Sequence, residues 1–100
     1  MNIDWNRVNE KYPAAYKRAV DFIKDFKNPE NVCFCDFKKF FKQNGIIISI
    51  IFEDYFYYKI DLQKEGVKYT YSFGKYEDDE KAEEESVYYV FKILEIELGE

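Results

Sequence analysis

Residues 46–73 read IIISIIFEDYFYYKIDLQKEGVKYTYSF, and the alternation inside this stretch decides the fold. β-Branched side chains dominate Ile46 to Phe52, and Gly45 and Asp54 bracket a run too short for a typical helix. Phe56, Tyr58, Ile60 and Leu62 then alternate with Tyr57, Lys59 and Asp61, and Val67, Tyr69, Tyr71 and Phe73 alternate with Lys68, Thr70 and Ser72. Successive side chains of a strand point to opposite faces, so each run predicts a strand with one buried side. Glu53-Asp54 and Lys64-Glu65-Gly66 make the turns between them. Links this short leave no room for a crossover, so the three strands form an antiparallel meander.

The flanks of this stretch are helical. Asp4 is placed to cap a short helix running to about Lys11, with Trp5 and Val8 on its apolar side. Pro13 fits the first turn of a second helix, where an amide hydrogen has no partner to lose. Its stripe is Tyr16, Ala19, Val20, Ile23 and Phe26, and Asn28-Pro29 ends it. A third helix is expected over Asp36 to Asn44, with Phe37, Phe40 and Phe41 inward, Lys38, Lys39 and Lys42 outward, and Asn44-Gly45 closing it. After a loop at Gly74, Val87, Val90, Phe91, Leu94 and Leu98 mark one face of a long closing helix that begins near Asp79. The expected fold is therefore a single α+β domain over residues 1–100, with two or three N-terminal helices, a three-stranded antiparallel meander and a long C-terminal helix.

Composition narrows the class of protein. One hundred residues with 47% hydrophobic and 35% charged content suit one soluble domain with one core. The first twenty residues carry Asp4, Arg7, Glu10, Lys11, Lys17 and Arg18 without an apolar run, so no secretory signal is expected and the predicted location is the cytoplasm. The longest apolar run, Ile46 to Phe52, falls far below the roughly 20 residues of a membrane span. Cys33 and Cys35 stand too close to bond each other comfortably, and with no histidine to complete a metal site they are expected to be reduced and partly buried. Thirteen Lys against two Arg, with ten each of Phe, Tyr and Ile, is the bias of A- and T-rich codons. In composition the chain resembles the small accessory proteins of phages and mobile elements, and the resemblance carries no motif.

Catalytic groups are sparse. Without histidine there is no imidazole base, Ser49, Ser72 and Ser86 have no activating motif, and the four glycines stand singly, so no phosphate-cradling loop is expected. The one route to chemistry is a hard cation held by Glu53, Asp54 and Asp61 beside Lys59, as in a metal-dependent hydrolase. Acidic turns are common without that role, and the chain is expected to be non-enzymatic with no cofactor and no metal.

Charge and aromatic content point to binding. Glu77, Asp78, Asp79, Glu80, Glu83, Glu84 and Glu85 crowd a nine-residue stretch with one Lys81, a local charge of −6 in a chain of net charge −5. The positive end of a helix stabilises acidic residues in its first turn by about 0.3–1 kcal/mol each, which covers only part of this block. A basic partner surface is the expected complement. Twenty-one aromatic residues are about twice a typical share. Phe22, Phe26, Phe37, Phe40, Phe56, Tyr58, Tyr69, Tyr71, Phe73 and Phe91 are assigned to the core, leaving Trp5, Tyr12, Tyr55, Tyr57, Tyr76, Tyr88 and Tyr89 partly exposed. On the far side of the sheet, Ile47, Ile51 and Tyr57 lie among Ser49, Thr70 and Ser72, and both outer strands have open edges.

The resulting expectation is a protein-binding module, an accessory-type inhibitor of a basic nucleic-acid-handling host protein. Its expected interface is Tyr76, Glu77, Asp78, Asp79, Glu80, Glu83, Glu84, Glu85, Tyr88 and Tyr89, and it touches neither nucleic acid nor membrane. A structural homodimer joined through the sheet face or edge is the first alternative, and the turn-carboxylate hydrolase is the second.

Overall fold

Three antiparallel strands form an open sheet in the order β1-β2-β3, with β1 at Ile46–Glu53, β2 at Tyr55–Lys64 and β3 at Val67–Tyr76. The computed structural model describes residues 3–23 and 32–98, the side chain of Lys64 aside. Asp54 alone reverses the chain between the paired Glu53 and Tyr55, at a left-handed φ of 64°. Glu65 and Gly66, at φ 53° and 79°, form a two-residue turn between the paired Lys64 and Val67. Both central residues at positive φ match the twist of the flanking strands.

Helices α1 (Trp5–Lys11), α2 (Pro13–Ile23) and α3 (Phe34–Gln43) precede the sheet, and α4 (Asp79–Leu98) follows it. Asp4 caps α1 through a 3.2 Å bond from the Arg7 amide to its Oδ1. Tyr12 closes α1 with a 2.7 Å bond to the Val8 carbonyl and opens α2 by accepting the Tyr16 amide at 2.8 Å. The expected end of α2 at Asn28-Pro29, and Phe26 on its stripe, lie outside the described residues. Helix α3 starts two residues before the expected Asp36. The reason is that Asp36 is not its cap: its Oδ2 reaches back 3.1 Å to the Cys33 amide, which makes Cys33 the capping position. Gly45, at φ 79°, sends its amide 3.0 Å to the Lys42 carbonyl and ends α3 as expected.

The strand after the second turn corrects the reading of Gly74 as a loop. β3 continues through it to Tyr76, with Phe56 opposite Tyr76 and Tyr58 opposite Phe73, so β3 carries one extra residue there. Gly74 sits at φ 98° in this bulge, a conformation that favours glycine. The extra residue breaks the alternation and turns Phe73 and Tyr76 toward the same face. Tyr76 thereby stacks on Tyr58 at 6.2 Å between ring centroids.

Helices α3 and α4 pack on one face of the sheet, α2 packs against α4, and α1 packs against α2. Val87, Val90, Phe91 and Leu94 of α4 meet Ile46, Ile48 and Ile60 of the sheet and Phe37, Phe40 and Phe41 of α3 in one buried cluster. Phe41 and Phe91 meet edge to face at 5.5 Å, and Trp5 stacks on Phe37 at 5.7 Å. Buried aromatics in such geometries add to the area they remove from water. Ser86 is the buried polar side chain of α4, and its hydroxyl donates to the Glu83 carbonyl at 2.7 Å. No helix among the described residues is long and apolar enough to cross a membrane.

Candidate functional site

The alternation in β3 assigns Val67, Tyr69 and Tyr71 to the helix-covered side, yet all three are exposed, Tyr69 by 45% and Tyr71 by 39%. This corrects their placement in the core. Helix α4 meets β3 at Phe73, where Tyr89 packs at 4.7 Å between ring centroids, and beyond that contact the inward side chains of β3 stay exposed among the described residues. Phe22, Phe56 and Phe73, also expected in the core, are half-buried. Across the gap α4 presents the half-buried Ile93 and the exposed Ile96, the latter 58% accessible. Tyr69, Tyr71, Tyr89, Ile93 and Ile96 line an open groove with Leu62 in it and Glu97 at its rim. The outer edge of β3 has no neighbouring strand among the described residues.

The acidic block lies where α4 begins. Asp78 Oδ1 accepts the Lys81 amide at 2.7 Å and caps the helix, and Asp79 and Glu80 fill its first turn. Glu77, Asp78, Asp79 and Glu80 are exposed, and Glu83, Glu84 and Glu85 are half-buried. Residues of a helix follow at about 100° intervals, so Glu83 and Glu85 point to nearly opposite sides. Burial raises the Glu83 carboxyl above its usual range, and the neighbouring Asp79 and Glu80 add to the rise while Lys38 opposes it. Glu85 faces the other way, with Lys81 at 3.2 Å. The Tyr76 hydroxyl is raised by burial and then by Glu85.

The tyrosines divide in the same manner. Tyr88 turns to α1, where its hydroxyl accepts the Asp4 amide at 2.8 Å and the Arg7 guanidinium lies 4.4 Å from its ring centre. Tyr89 turns to the sheet beside Tyr58 and Phe73. The structure thus brings Tyr76, Glu85 and Tyr89 together around Tyr58, with Tyr89 lining the groove, and sets Glu83 and Tyr88 on other sides of α4. Sequence reasoning missed the groove itself, of which only the apolar Ile93 and Ile96 near the end of α4 gave a sign. Trp5, expected to be partly exposed, is half-buried against Phe37, Tyr16 and Phe91.

On the opposite face, Ile47 pairs with Asp61, Ser49 with Lys59 and Ile51 with Tyr57. Ile47 is exposed, Ile51 and Tyr57 are half-buried, and Thr70 donates to Asp61 at 2.7 Å. Glu53, Lys59 and Asp61 do share this face, but Glu53 is opposite Tyr55 while Asp61 is opposite Ile47. Six residues of strand at about 3.3 Å each separate the two ends of that set by roughly 20 Å, too far for one cation. The turn carboxylates Glu53, Asp54 and Asp61 therefore do not form the shared site that the hydrolase alternative needs. Ligating atoms do converge elsewhere: Cys33, Cys35 and Asp36 place theirs within 4.8 Å of one another at the start of α3. Cys35 is exposed and Cys33 half-buried, against the expectation that both are partly buried.

Comparison with known proteins gave no matching protein family, no curated protein matching in sequence and no solved structure matching in fold, so the functional reading rests on this geometry.

Proposed function

We propose that this protein is a protein-binding module whose interface is the groove between β3 and α4, with the acidic end of α4 selecting a basic partner. The observation that carries this reading is the uncovered inward side of β3, where Val67, Tyr69 and Tyr71 stay exposed opposite Ile96. A contiguous apolar and aromatic surface of this kind is where protein interfaces concentrate their affinity. Beside it, the free edge of β3 offers backbone donors and acceptors to an added strand. Glu97 lines the groove, and Glu85 stands on α4 about one turn before the groove-lining Tyr89. The complementary partner is an apolar segment flanked by Lys or Arg, held on a basic surface such as a nucleic-acid-handling protein carries. Competing for that surface is the inhibitory role assigned to the acidic block.

Affinity capture with the full chain from a lysate of its native host tests the reading. A captured protein should be retained by Ile47→Asp on the opposite face, lost by Ile96→Asp and released by salt together with Glu85→Lys. Capture that survives both Ile96→Asp and Glu85→Lys rejects the groove. Light scattering against concentration settles the homodimer alternative, since self-association removed by Ile96→Asp would assign the groove to a second copy.

A further inference from the structure

We propose that Cys33 and Cys35 form a reversible dithiol–disulfide site that exchanges with small organic disulfides of the glutathione type. Cys33 occupies the capping position of α3 and Cys35 lies in its first turn, so both sulfurs sit at the positive end of a ten-residue helix. The thiolate form is the one that attacks disulfides, so the thiol that meets solvent is the one placed to start the exchange. The one-residue spacing looks too short for a comfortable bond in sequence, yet at this helix start the two Sγ atoms lie 2.7 Å apart. This is well inside the separation of about 3.5–4.0 Å kept by unbonded heavy atoms, and within about 1 Å of a disulfide bond. Asp36 holds the pair in this arrangement, accepting the Cys33 amide at 3.1 Å and the Cys33 thiol at 3.2 Å through the same Oδ2.

A divalent metal on the same three groups is the competing use, and the geometry disfavours it. Tetrahedral zinc, with bonds of about 2.3 Å to sulfur, spaces two thiolates by roughly 3.8 Å, so the sulfurs would have to part by about 1 Å. The cation would also sit against the positive end of α3. Closing the pair to a disulfide asks for a smaller movement; it gives up the thiol bond to Asp36 and keeps the bond from the Cys33 amide.

The exposure of the two thiols sets their order. Cys35 is exposed and meets the incoming disulfide, while Cys33 is half-buried beside it. The Cys35 thiolate attacks one sulfur of R–S–S–R, the R–S–S–R bond breaks, and the departing thiolate takes a proton from water. Cys33 then gives its proton to solvent and attacks Cys35 Sγ, breaking the mixed disulfide and releasing the second R–SH. The protein loses two hydrogens as its thiols are oxidised, and one R–S–S–R is reduced to two R–SH.

Intact mass spectrometry of the reduced full chain incubated with oxidised glutathione tests this. The expected product is a chain lighter by two hydrogens and free of glutathione, restored by excess reduced glutathione. Cys33→Ser should stop at a glutathione adduct on Cys35, and Cys35→Ser should react at least about tenfold more slowly because its remaining thiol is half-buried. A wild-type chain that ends as a glutathione adduct, stays unmodified or links to a second copy would overturn the proposal.

Discussion

Oε1 of Glu95, on α4, accepts a hydrogen bond of 2.9 Å from the backbone amide of Ala15, on α2, across 80 residues of sequence. The first turn of a helix leaves amides without intrahelical partners, and here a carboxylate from another helix supplies one. Removing it as Glu95→Ala should cost about 0.5–2 kcal/mol, as loss of an N-terminal cap does. Urea denaturation checks this, and Glu95→Gln, which keeps an acceptor oxygen, should lose less.

Phe91 is fully buried against Phe37, Phe40, Phe41 and Trp5. Truncation as Phe91→Ala leaves a cavity among side chains that cannot close over it, with an expected loss of about 3–5 kcal/mol. Phe52 is 64% exposed, and Phe52→Ala should shift the same unfolding curve by far less.

A Cβ at position 74 would lie 2.1 Å from the Tyr76 ring, and the backbone there is at φ 98°. Two costs coincide in Gly74→Ala: the clash and the strained backbone. Thermal unfolding should report a loss of about 1–3 kcal/mol from the backbone, plus the clash. Adding Tyr76→Ala should recover only the clash, leaving the double variant still destabilised by the backbone cost.

Burial, with Tyr76, Tyr89 and Glu85 adding to it, holds the Tyr58 hydroxyl well above its ordinary range. A folded-state value above the unfolded one means that the unfolded chain loses its proton first as pH rises. Stability from this group is therefore whole below about pH 10 and drains away above it. In alkaline unfolding followed by tyrosine absorbance, Tyr58→Phe should move the transition to higher pH.

Glu83 also has a raised folded-state value, so the sign is the same while the window is acidic. The folded state favours the protonated carboxyl, and its contribution is present below about pH 4 and lost as pH rises past the folded value. Glu83→Gln should accordingly stabilise the chain at neutral pH, with the gain vanishing in acid. A pH series of urea midpoints would check both halves of that statement.

The legible part of the fold is the part governed by local period. The three strands between Ile46 and Phe73 and the three- and four-residue spacing of Val87, Val90, Phe91 and Leu94 both appear in the structure as read, while the one-sided burial expected of β3 does not. A single Gly74 was ambiguous, because glycine marks a loop and a bulge alike, and only pairing with Phe56 and Tyr58 distinguishes them. Tyr69 and Tyr71 show a different limit. Alternation states which face a side chain takes, but whether anything covers that face depends on where α4 crosses the sheet. Within the candidate site, the divergence of Glu83 from Glu85 was available from helical spacing alone. The commitment of Tyr88 to Asp4 was not, since it joins residues 84 positions apart.

The bonds from Asp4 to Tyr88 and from Ala15 to Glu95 tie both leading helices to the one that is translated after the sheet. On the ribosome, α1 and α2 are made before the helix they bond to, and neither is long enough to persist alone in water. Trp5 and Phe22 can meet Phe37 and Phe40 of α3 before the sheet is made, but the two bonds that fasten these helices to α4 form only after the last element has been translated.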